Sequence, residues 1–409
     1  MMAMRRAAAL FLLLISPAAA AAQSLDLGIA HTGISIGNSP RWNGLRINLS
    51  DRNVQAVNGI NLTLWKPPGT TSGEVGANPD LRVHGLALGL VGPEAAVVNG
   101  AAIGLVGAVT HRQLNGLGIG GIGLVSEGDI NGIALGGVGT VAQGTMRGIG
   151  IAGLGLVAQQ NMYGINIAGL GTVAQMDMAG ISIAGIGTVA EGSMTGISIA
   201  GLGTVSQGDM TGFSVAGLGA VAQGDMTGIS VAGLATVAQG DMTGFNVAGL
   251  STVAQGDITG VSTAGLAVVA QGNLRWLSFA GLAAVAQGAV EGISVSGLAV
   301  VGERAVRGLA ATLGAVESGS AIAGAVFGGY RIRAPEVRGL AISVAQLRTT
   351  DFSGFGTGAY TEVRGVQRGL TIAIYNHARE LHGLQVGIIN RADNNRGAAR
   401  ILPIINFHR

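Results

Sequence analysis

The chain has 409 residues, of which 73 are glycine, 11% are charged and none is cysteine. So low a charge argues against a disordered chain, which needs high polarity to avoid collapse, and the glycines lack the three-residue period with proline that a collagen helix requires. The lack of cysteine excludes disulfide bonds, thiolate metal sites and thiol catalysis. Stability must therefore come from burial and from backbone hydrogen bonds.

The first 22 residues have the features of a secretory signal peptide. Arg5 and Arg6 supply a positive start, residues 7–15 form a short apolar core, and small residues at 20–22 provide a cleavage site. The apolar run is too short to span a bilayer. We therefore predict that residues 1–22 are removed and that the mature chain is exported to the periplasm, the outer membrane or the cell surface.

Residues 23–99 are predicted to be degenerate repeats that form an N-terminal cap. Residues 33–36 (GISI) and 85–88 (GLAL) are examples of the worn copies. A segment rich in proline, glycine and threonine at residues 66–80 interrupts them and predicts a surface loop.

Residues 100–316 are predicted to be a regular array of 16-residue repeats. Glycine recurs at this period from Gly100 to Gly308, except that Trp276 replaces one glycine. The best-formed unit, residues 228–243, reads GISVAGLATVAQGDMT. Positions in every unit are numbered here from 0 at the first glycine to 15 at the last residue. A fixed period of this length indicates units that pack on their neighbours.

Five columns of the repeat are apolar. They occupy positions 1, 3, 6, 9 and 14, and methionine fills most units at position 14. The alternation after the first glycine predicts a short strand with isoleucine inside and serine outside. Position 5 ends that strand, positions 6–10 predict a second, and Gln-Gly-Asp predicts a turn in which glycine can take a positive φ. We expect the five columns, the methionine column above all, to form the interior.

Two all-β architectures fit this unit. In a β-solenoid each 16-mer is one coil, whereas in an outer-membrane β-barrel each would be one spanning strand and a tight turn. We favour the solenoid, because the barrel would leave the methionine column in an exposed turn and because no aromatic girdle recurs. The barrel remains the alternative, since both faces of residues 181–190 are apolar or small and residues 401–407 form an alternating apolar end.

Residues 317–409 are predicted to be degenerate C-terminal repeats or a cap. Within them, residues 369–390 (GLTIAIYNHARELHGLQVGIIN) resemble the GLQxGLxN repeats of bacterial surface-repeat proteins of the type described in leptospires. The match covers two units, and the central units lack its glutamine and asparagine positions. The resemblance implies an exported, surface-associated repeat protein, and it carries over no catalytic residues.

No catalytic, cofactor-binding or metal-binding residue is predicted, and we expect the chain not to be an enzyme. No HExxH, GxSxG or P-loop motif occurs. The histidines lie outside the most regular units and share no motif spacing. They are His31, His84, His111, His377, His382 and His408.

Three repetitive features raise the question of a ligand. The aspartate column at position 13 suggests calcium, and the threonine columns at positions 8 and 15 suggest ice. From residue 301 onward, 13 arginines against 7 acidic residues suggest anionic envelope components. The ordinary interpretation of the first two is a set of exposed turn and surface residues. No nucleic acid and no small-molecule substrate is predicted.

The function predicted from the sequence is an exported, non-enzymatic surface or envelope-associated repeat protein that acts as a structural or adhesive scaffold. Its flat faces are expected to present Ser, Ala, Thr and Asp. The alternative is a membrane-inserted or pore-like outer-membrane barrel, and an ice- or calcium-binding solenoid is third.

Overall fold

Strands of each repeat pair with the equivalent residues of the next repeat. In the computed structural model, which describes residues 24–51, 54–65 and 80–408, Met226 lies opposite Met242 and Val221 opposite Val237, in parallel. A constant offset of 16 residues in parallel register means that each repeat is one coil. The protein is an all-β solenoid of about 19 coils, as predicted. The alternative of one antiparallel strand per repeat is wrong, because the repeats pair in parallel.

Some sequence predictions fall outside the described residues. These are the signal peptide at residues 1–22 and residues 66–79 of the loop at 66–80. The chain forms two compact units, one that ends at Val189 and one that begins at Ala190.

The first unit contains the irregular N-terminal coils and the start of the regular array. Its strands are Ser24–Ile29, Thr32–Gly37, Arg41–Asn48, Ala56–Thr63, Arg82–Gly89, Glu94–Gly104, Gly107–Gly120, Gly123–Ser126, Asp129–Gly136, Gly139–Ala142, Met146–Ala152, Gly155–Ala158, Met162–Ala168, Gly171–Ala174 and Met178–Ala184, with Gly187–Ala190 at its boundary.

The second unit contains the rest of the regular array and the C-terminal coils. Its strands are Met194–Ala200, Gly203–Ser206, Met210–Ala216, Gly219–Ala222, Met226–Ala232, Ala235–Ala238, Met242–Ala248, Ser251–Ala254, Ile258–Ala264, Ala267–Ala270, Leu274–Ala280, Ala283–Ala286, Ala289–Ser296, Ala299–Gly302, Ala305–Thr312, Ala315–Ser318, Ala321–Gly328, Arg331–Ser343, Gln346–Ala392 and Ile401–His408. A single 3-10 turn, Gly397–Arg400, precedes the last strand.

Each regular coil has one longer and one shorter side. In the coil of the best-formed unit these are the strand Met226–Ala232, which begins two residues before that unit, and the strand Ala235–Ala238. The two predicted strands are thus confirmed, although the first begins at position 14 rather than at position 1. The chain turns between them at Gly233-Leu234 and turns back at residues 239–241.

The interior is lined by small side chains and methionine. Positions 2, 4, 8, 10 and 14 are buried. In the best-formed coil these are Ser230, Ala232, Thr236, Ala238 and Met226, all at most 4% exposed. The prediction for the methionine column is confirmed.

The prediction for the other four apolar columns is wrong. Ile229 and Leu234 are 43% and 44% exposed, and Val231 and Val237 are half-buried. The reason is the alternation of side chains along one strand. Met226 belongs to the same strand as Ile229 and Val231, so burial of position 14 turns positions 1 and 3 outward and serine at position 2 inward.

Two glycine columns are explained by close backbone approach. Gly228 has a φ of 119°, and a Cβ there would lie 2.2 Å from the carbonyl oxygen of Gly212. Gly240, in the predicted turn, does not use the positive φ that is open to glycine. A Cβ on Gly240 would instead lie 2.1 Å from Oδ1 of Asp225, so this glycine makes room for the carboxylate of the preceding coil.

Both ends of the described chain close with antiparallel strands. Ser24–Ile29 pairs with Thr32–Gly37, and Ile401–His408 pairs with the end of Gln346–Ala392. Each added strand covers a coil that would otherwise offer a free edge to another chain.

The C-terminal coils contain buried amides. Asn376 donates from Nδ2 to Oδ1 of Asn390 at 2.7 Å, and Gln385 donates from Nε2 to Oε1 of Gln367 at 2.9 Å. Gln385 and Asn390 are the glutamine and asparagine of the GLQVGIIN segment, and both are fully buried. In this segment too, the polar residues face the interior and the aliphatic residues face outward.

Candidate interaction surfaces

One edge of the second unit is a column of exposed leucines. Each lies at position 6, where the chain turns from the longer to the shorter strand, and the seven are between 44% and 59% exposed. This set is called the leucine edge: Leu202, Leu218, Leu234, Leu250, Leu266, Leu282 and Leu298.

The apolar surface continues from the leucine edge onto both sides of each coil. On the longer strands, position 1 is exposed in most coils, as at Phe213 (39%) and Phe245 (44%), and position 3 is mostly valine or isoleucine. On the shorter strands, valine at position 9 is half-buried. Between residues 197 and 302, positions 1 to 10 contain no charged residue.

Backbone groups along the leucine edge are hydrogen-bonded from coil to coil. Leu234 donates its N–H to the carbonyl of Leu218 at 2.8 Å, and Leu250 does the same to Leu234 at 2.8 Å. The flanking Gly233 donates to Ala216 at 3.1 Å. The turn therefore presents side chains without leaving these amides in need of water.

The opposite edge of each coil is polar. Its aspartates form a hydrogen-bonded ladder, in which Asp241 donates its N–H to Oδ1 of Asp225 at 2.8 Å and Asp257 donates to Oδ1 of Asp241 at 2.7 Å. Burial acts to raise the pKa of the Asp257 carboxyl. Hydrogen bonds from Asn273 and the charge of Arg275 outweigh this effect, so the pKa is lowered.

The aspartate ladder does not assemble a calcium site in this structure. In these ladder aspartates, one of the two carboxylate oxygens, Oδ1, already accepts a backbone N–H. Within residues 24–51, 54–65 and 80–408, no three His, Asp or Glu side chains are grouped so that they could hold a metal ion.

One threonine column faces the interior of the coils and the other faces outward. At position 8 the threonines are buried, and Thr236 donates from Oγ1 to Oγ1 of Thr252 at 3.1 Å. Only position 15, as at Thr227 and Thr243, is exposed. The prediction of a flat exposed face of Ser, Ala and Thr is therefore wrong, because positions 2, 4 and 8 face inward.

Trp276 stands where other coils have the first glycine. Its φ is 86°, a left-handed conformation that is costly for a bulky side chain, and it is 69% exposed. Arg275 beside it bridges Asp257 at 2.7 Å and Glu291 at 3.6 Å. Trp276 thus lies at the border between the polar edge and the half-buried apolar side chain of Leu277.

In the C-terminal coils the shorter side becomes charged. Glu317, Arg333 and Arg348 succeed the valine column that ends at Val301, and they stack at one place in successive coils. Together with Arg364 they line a groove of about 670 Å³. Glu362 lies 3.5 Å from Arg348 and 3.0 Å from Arg364, so part of the positive charge of the groove is neutralised.

Three of the described histidines lie within hydrogen-bonding distance of a carboxylate. His111 lies between two carboxylates, 2.9 Å from Glu94 and 2.9 Å from Glu127. His377 is 3.0 Å from Asp393, and His382 is 3.2 Å from Glu380. The hydrogen bond to Glu94 first, and the hydrogen bond and charge of Glu127, raise the pKa of His111 against the opposing effect of burial.

Sequence reasoning missed two polar clusters of the first unit. The offset of 16 residues between His111 and Glu127 was the available signal for the first. The second is a fully buried Arg46, which donates to Asp51 at 2.5 Å and to Asn61 at 2.6 Å. Because Asn61 occupies the same position as Arg46 in the next coil, the repeat register alone would have brought these two together.

Among the described residues, no helix is long and apolar enough to cross a membrane. No protein-family model, no curated protein and no solved structure matches the chain.

Proposed function

We propose that the protein is an exported, non-enzymatic scaffold of the bacterial envelope, which presents repeated surfaces for association with envelope or cell-surface components. The β-solenoid fold fits the role of a structural repeat scaffold. The observation that carries the proposal is that the regular coils of the second unit repeat the same apolar surface. Position 6 is exposed in every coil, position 1 is exposed in most, and position 3 is half-buried in most. A surface that repeats once per coil suits an extended partner better than a single small molecule.

Three further observations support this proposal. The start of the chain has the pattern of a signal peptide, and the resemblance of residues 369–390 is to surface-repeat proteins. The grooved, arginine-containing side of the C-terminal coils is a second surface suited to anionic envelope components.

Fractionation of a bacterial host that expresses the full chain tests the proposal. We expect the protein in the periplasmic or membrane fraction, with a mature N-terminus near Gln23, as read by N-terminal sequencing. The double variant Leu12→Arg/Leu13→Arg interrupts the apolar core of the signal and should leave an uncleaved chain in the cytoplasm. Recovery of the unaltered chain in the cytoplasm with its first residues intact would contradict export.

A further inference from the structure

We propose that the leucine edge of the second unit inserts into the hydrocarbon of one leaflet of a lipid bilayer, with the polar edge left in water. This inference rests on the proposed envelope association and names its partner as the acyl chains of a membrane. The inserted part comprises the coils between residues 197 and 302, in which positions 1 to 10 carry no charge.

The shape of the apolar surface favours a fluid partner over a second copy of the chain. Aliphatic side chains that are exposed, as at Ile229 and Leu234, or half-buried, as at Val237, occupy the longer side, the leucine edge and the shorter side of the same coils. A flat face of a second protein would cover one of these three sides. Acyl chains surround all three at once.

The backbone of the leucine edge meets the main condition for entering a membrane. Hydrocarbon offers no hydrogen bonds, so every inserted N–H and C=O must be paired within the protein. At the edge, Leu218, Leu234 and Leu250 bond to one another from coil to coil at 2.8 Å. The coil stack thereby satisfies the turn, which in most β-proteins would need water.

The width of the apolar region matches one leaflet. A strand rises about 3.3 Å per residue, so the chain from position 1 to the turn residue at position 6 extends at most about 16 Å. Half of the hydrocarbon core of a bilayer is about 15 Å. The leucine edge would therefore stay within one leaflet when position 1 lies just below the headgroups.

Trp276 lies at the height that this geometry assigns to the headgroups. Tryptophan is enriched at membrane–water interfaces, where its ring is buried and its N–H stays in contact with water. The strained, exposed Trp276 has Arg275 on its polar side and Leu277 on its apolar side. The arginine and tryptophan thus mark the border of the inserted region.

The test is flotation of the full-length mature protein with vesicles of phosphatidylcholine alone. We expect binding that persists in about 1 M salt, because apolar insertion is not screened as charge attraction is. The triple variant Leu218→Gln/Leu234→Gln/Leu250→Gln should bind at least about tenfold more weakly, since three exposed side chains lose their apolar gain on insertion. Its circular dichroism should stay that of the unaltered protein, because these side chains lie outside the interior.

The matched control Gln223→Ser/Gln239→Ser/Gln255→Ser alters the polar edge of the same coils and should bind as the unaltered protein does.

Tryptophan fluorescence provides a second readout. In a Trp65→Phe background, where Trp42 is buried at 2% exposure, vesicles should shift the emission of Trp276 to the blue and brominated lipids should quench it. Trp276→Gly should raise the thermal midpoint by relief of strain and weaken binding. If Trp276 were merely tolerated in the fold, Trp276→Gly would raise the thermal midpoint without weakening the binding to vesicles.

Three outcomes would overturn the inference: no flotation, flotation that the triple leucine variant leaves unchanged, or a dimer without flotation that this variant dissociates. The last outcome would assign the surface to a second copy. Because purified vesicles need no export, failure here leaves the proposed envelope localisation intact. Conversely, a cytoplasmic chain that still binds vesicles would contradict only the proposed function.

Discussion

Alternation along a single strand decides which residues of the repeat are interior. The sequence pattern placed both the methionine and the isoleucine columns inside, yet Met226, Ile229 and Val231 belong to one strand. Positions 14 and 1 differ by an odd number of residues, so both cannot face the same way. The large apolar side chain of isoleucine suggested an interior position, whereas the buried residues of each coil are mostly alanine, serine and threonine, together with methionine.

Met226→Asp tests the orientation of the strand. A charge in place of a side chain that is 2% exposed should lower the free energy of unfolding by about 3 kcal/mol or more. The matched control Ile229→Asp places the same charge on the 43% exposed side and should change stability by about 1 kcal/mol or less. Urea unfolding measures both. Equal losses in the two variants would show that the strand does not separate inside from outside.

The carboxylates around His111 predict a pH-dependent contribution to stability. Because the folded-state pKa of His111 is raised above its ordinary value of 6.5, the protonated ring stabilises the fold fully below the unfolded pKa. That contribution is lost as the pH rises through the folded pKa.

The variant His111→Gln should therefore be less stable than the unaltered protein at about pH 5.5, and the difference should shrink by about pH 9 as the histidine becomes neutral. Unfolding in urea at several pH values measures the difference. A difference that does not change with pH would mean that the two hydrogen bonds act without the charge.

At the scale of the strand, the period identified the partners of each residue but not the direction of its side chain. An offset of 16 residues correctly implies that Val221 lies opposite Val237, since stacked coils repeat the same register. The capping strands Ser24–Ile29 and Ile401–His408 pair in antiparallel fashion. They were not predictable from the period, because neither repeats the central unit.

The interaction surfaces were the least predictable part. The sequence was expected to present Ser, Ala, Thr and Asp, and of these only the aspartates and the threonines at position 15 are exposed. The leucine edge follows from the turn at Gly233-Leu234, whose direction depends on the three-dimensional path of the coil. Trp276 was visible as an interruption of the glycine column, but its positive φ was not.

At the scale of the molecule, a solenoid should tolerate the loss of one whole coil. Deletion of residues 228–243 joins Thr227 to Gly244, so strand register and both columns of edge residues continue within the second unit. We expect a folded protein whose denaturant dependence decreases slightly, because less surface is exposed on unfolding.

The control deletion removes residues 228–235, which is half a coil. It would align a longer strand with a shorter one and bring the leucine edge onto the polar edge, so we expect aggregation or a large loss of stability. Circular dichroism with urea unfolding distinguishes the two deletions. If both were tolerated equally, the coil would not be the structural unit.

The close likeness of the coils also bears on how the chain finds its native alignment. A slip of one whole coil during folding would pair Val237 with Val205 in place of Val221 and leave nearly every contact chemically unchanged. Such errors have little energetic penalty in the middle of the array. Segments without a duplicate, such as the buried Asn376–Asn390 amide pair and the Arg46–Asp51 pair, reject a shifted alignment. The irregular coils therefore fix the register in which the uniform coils align.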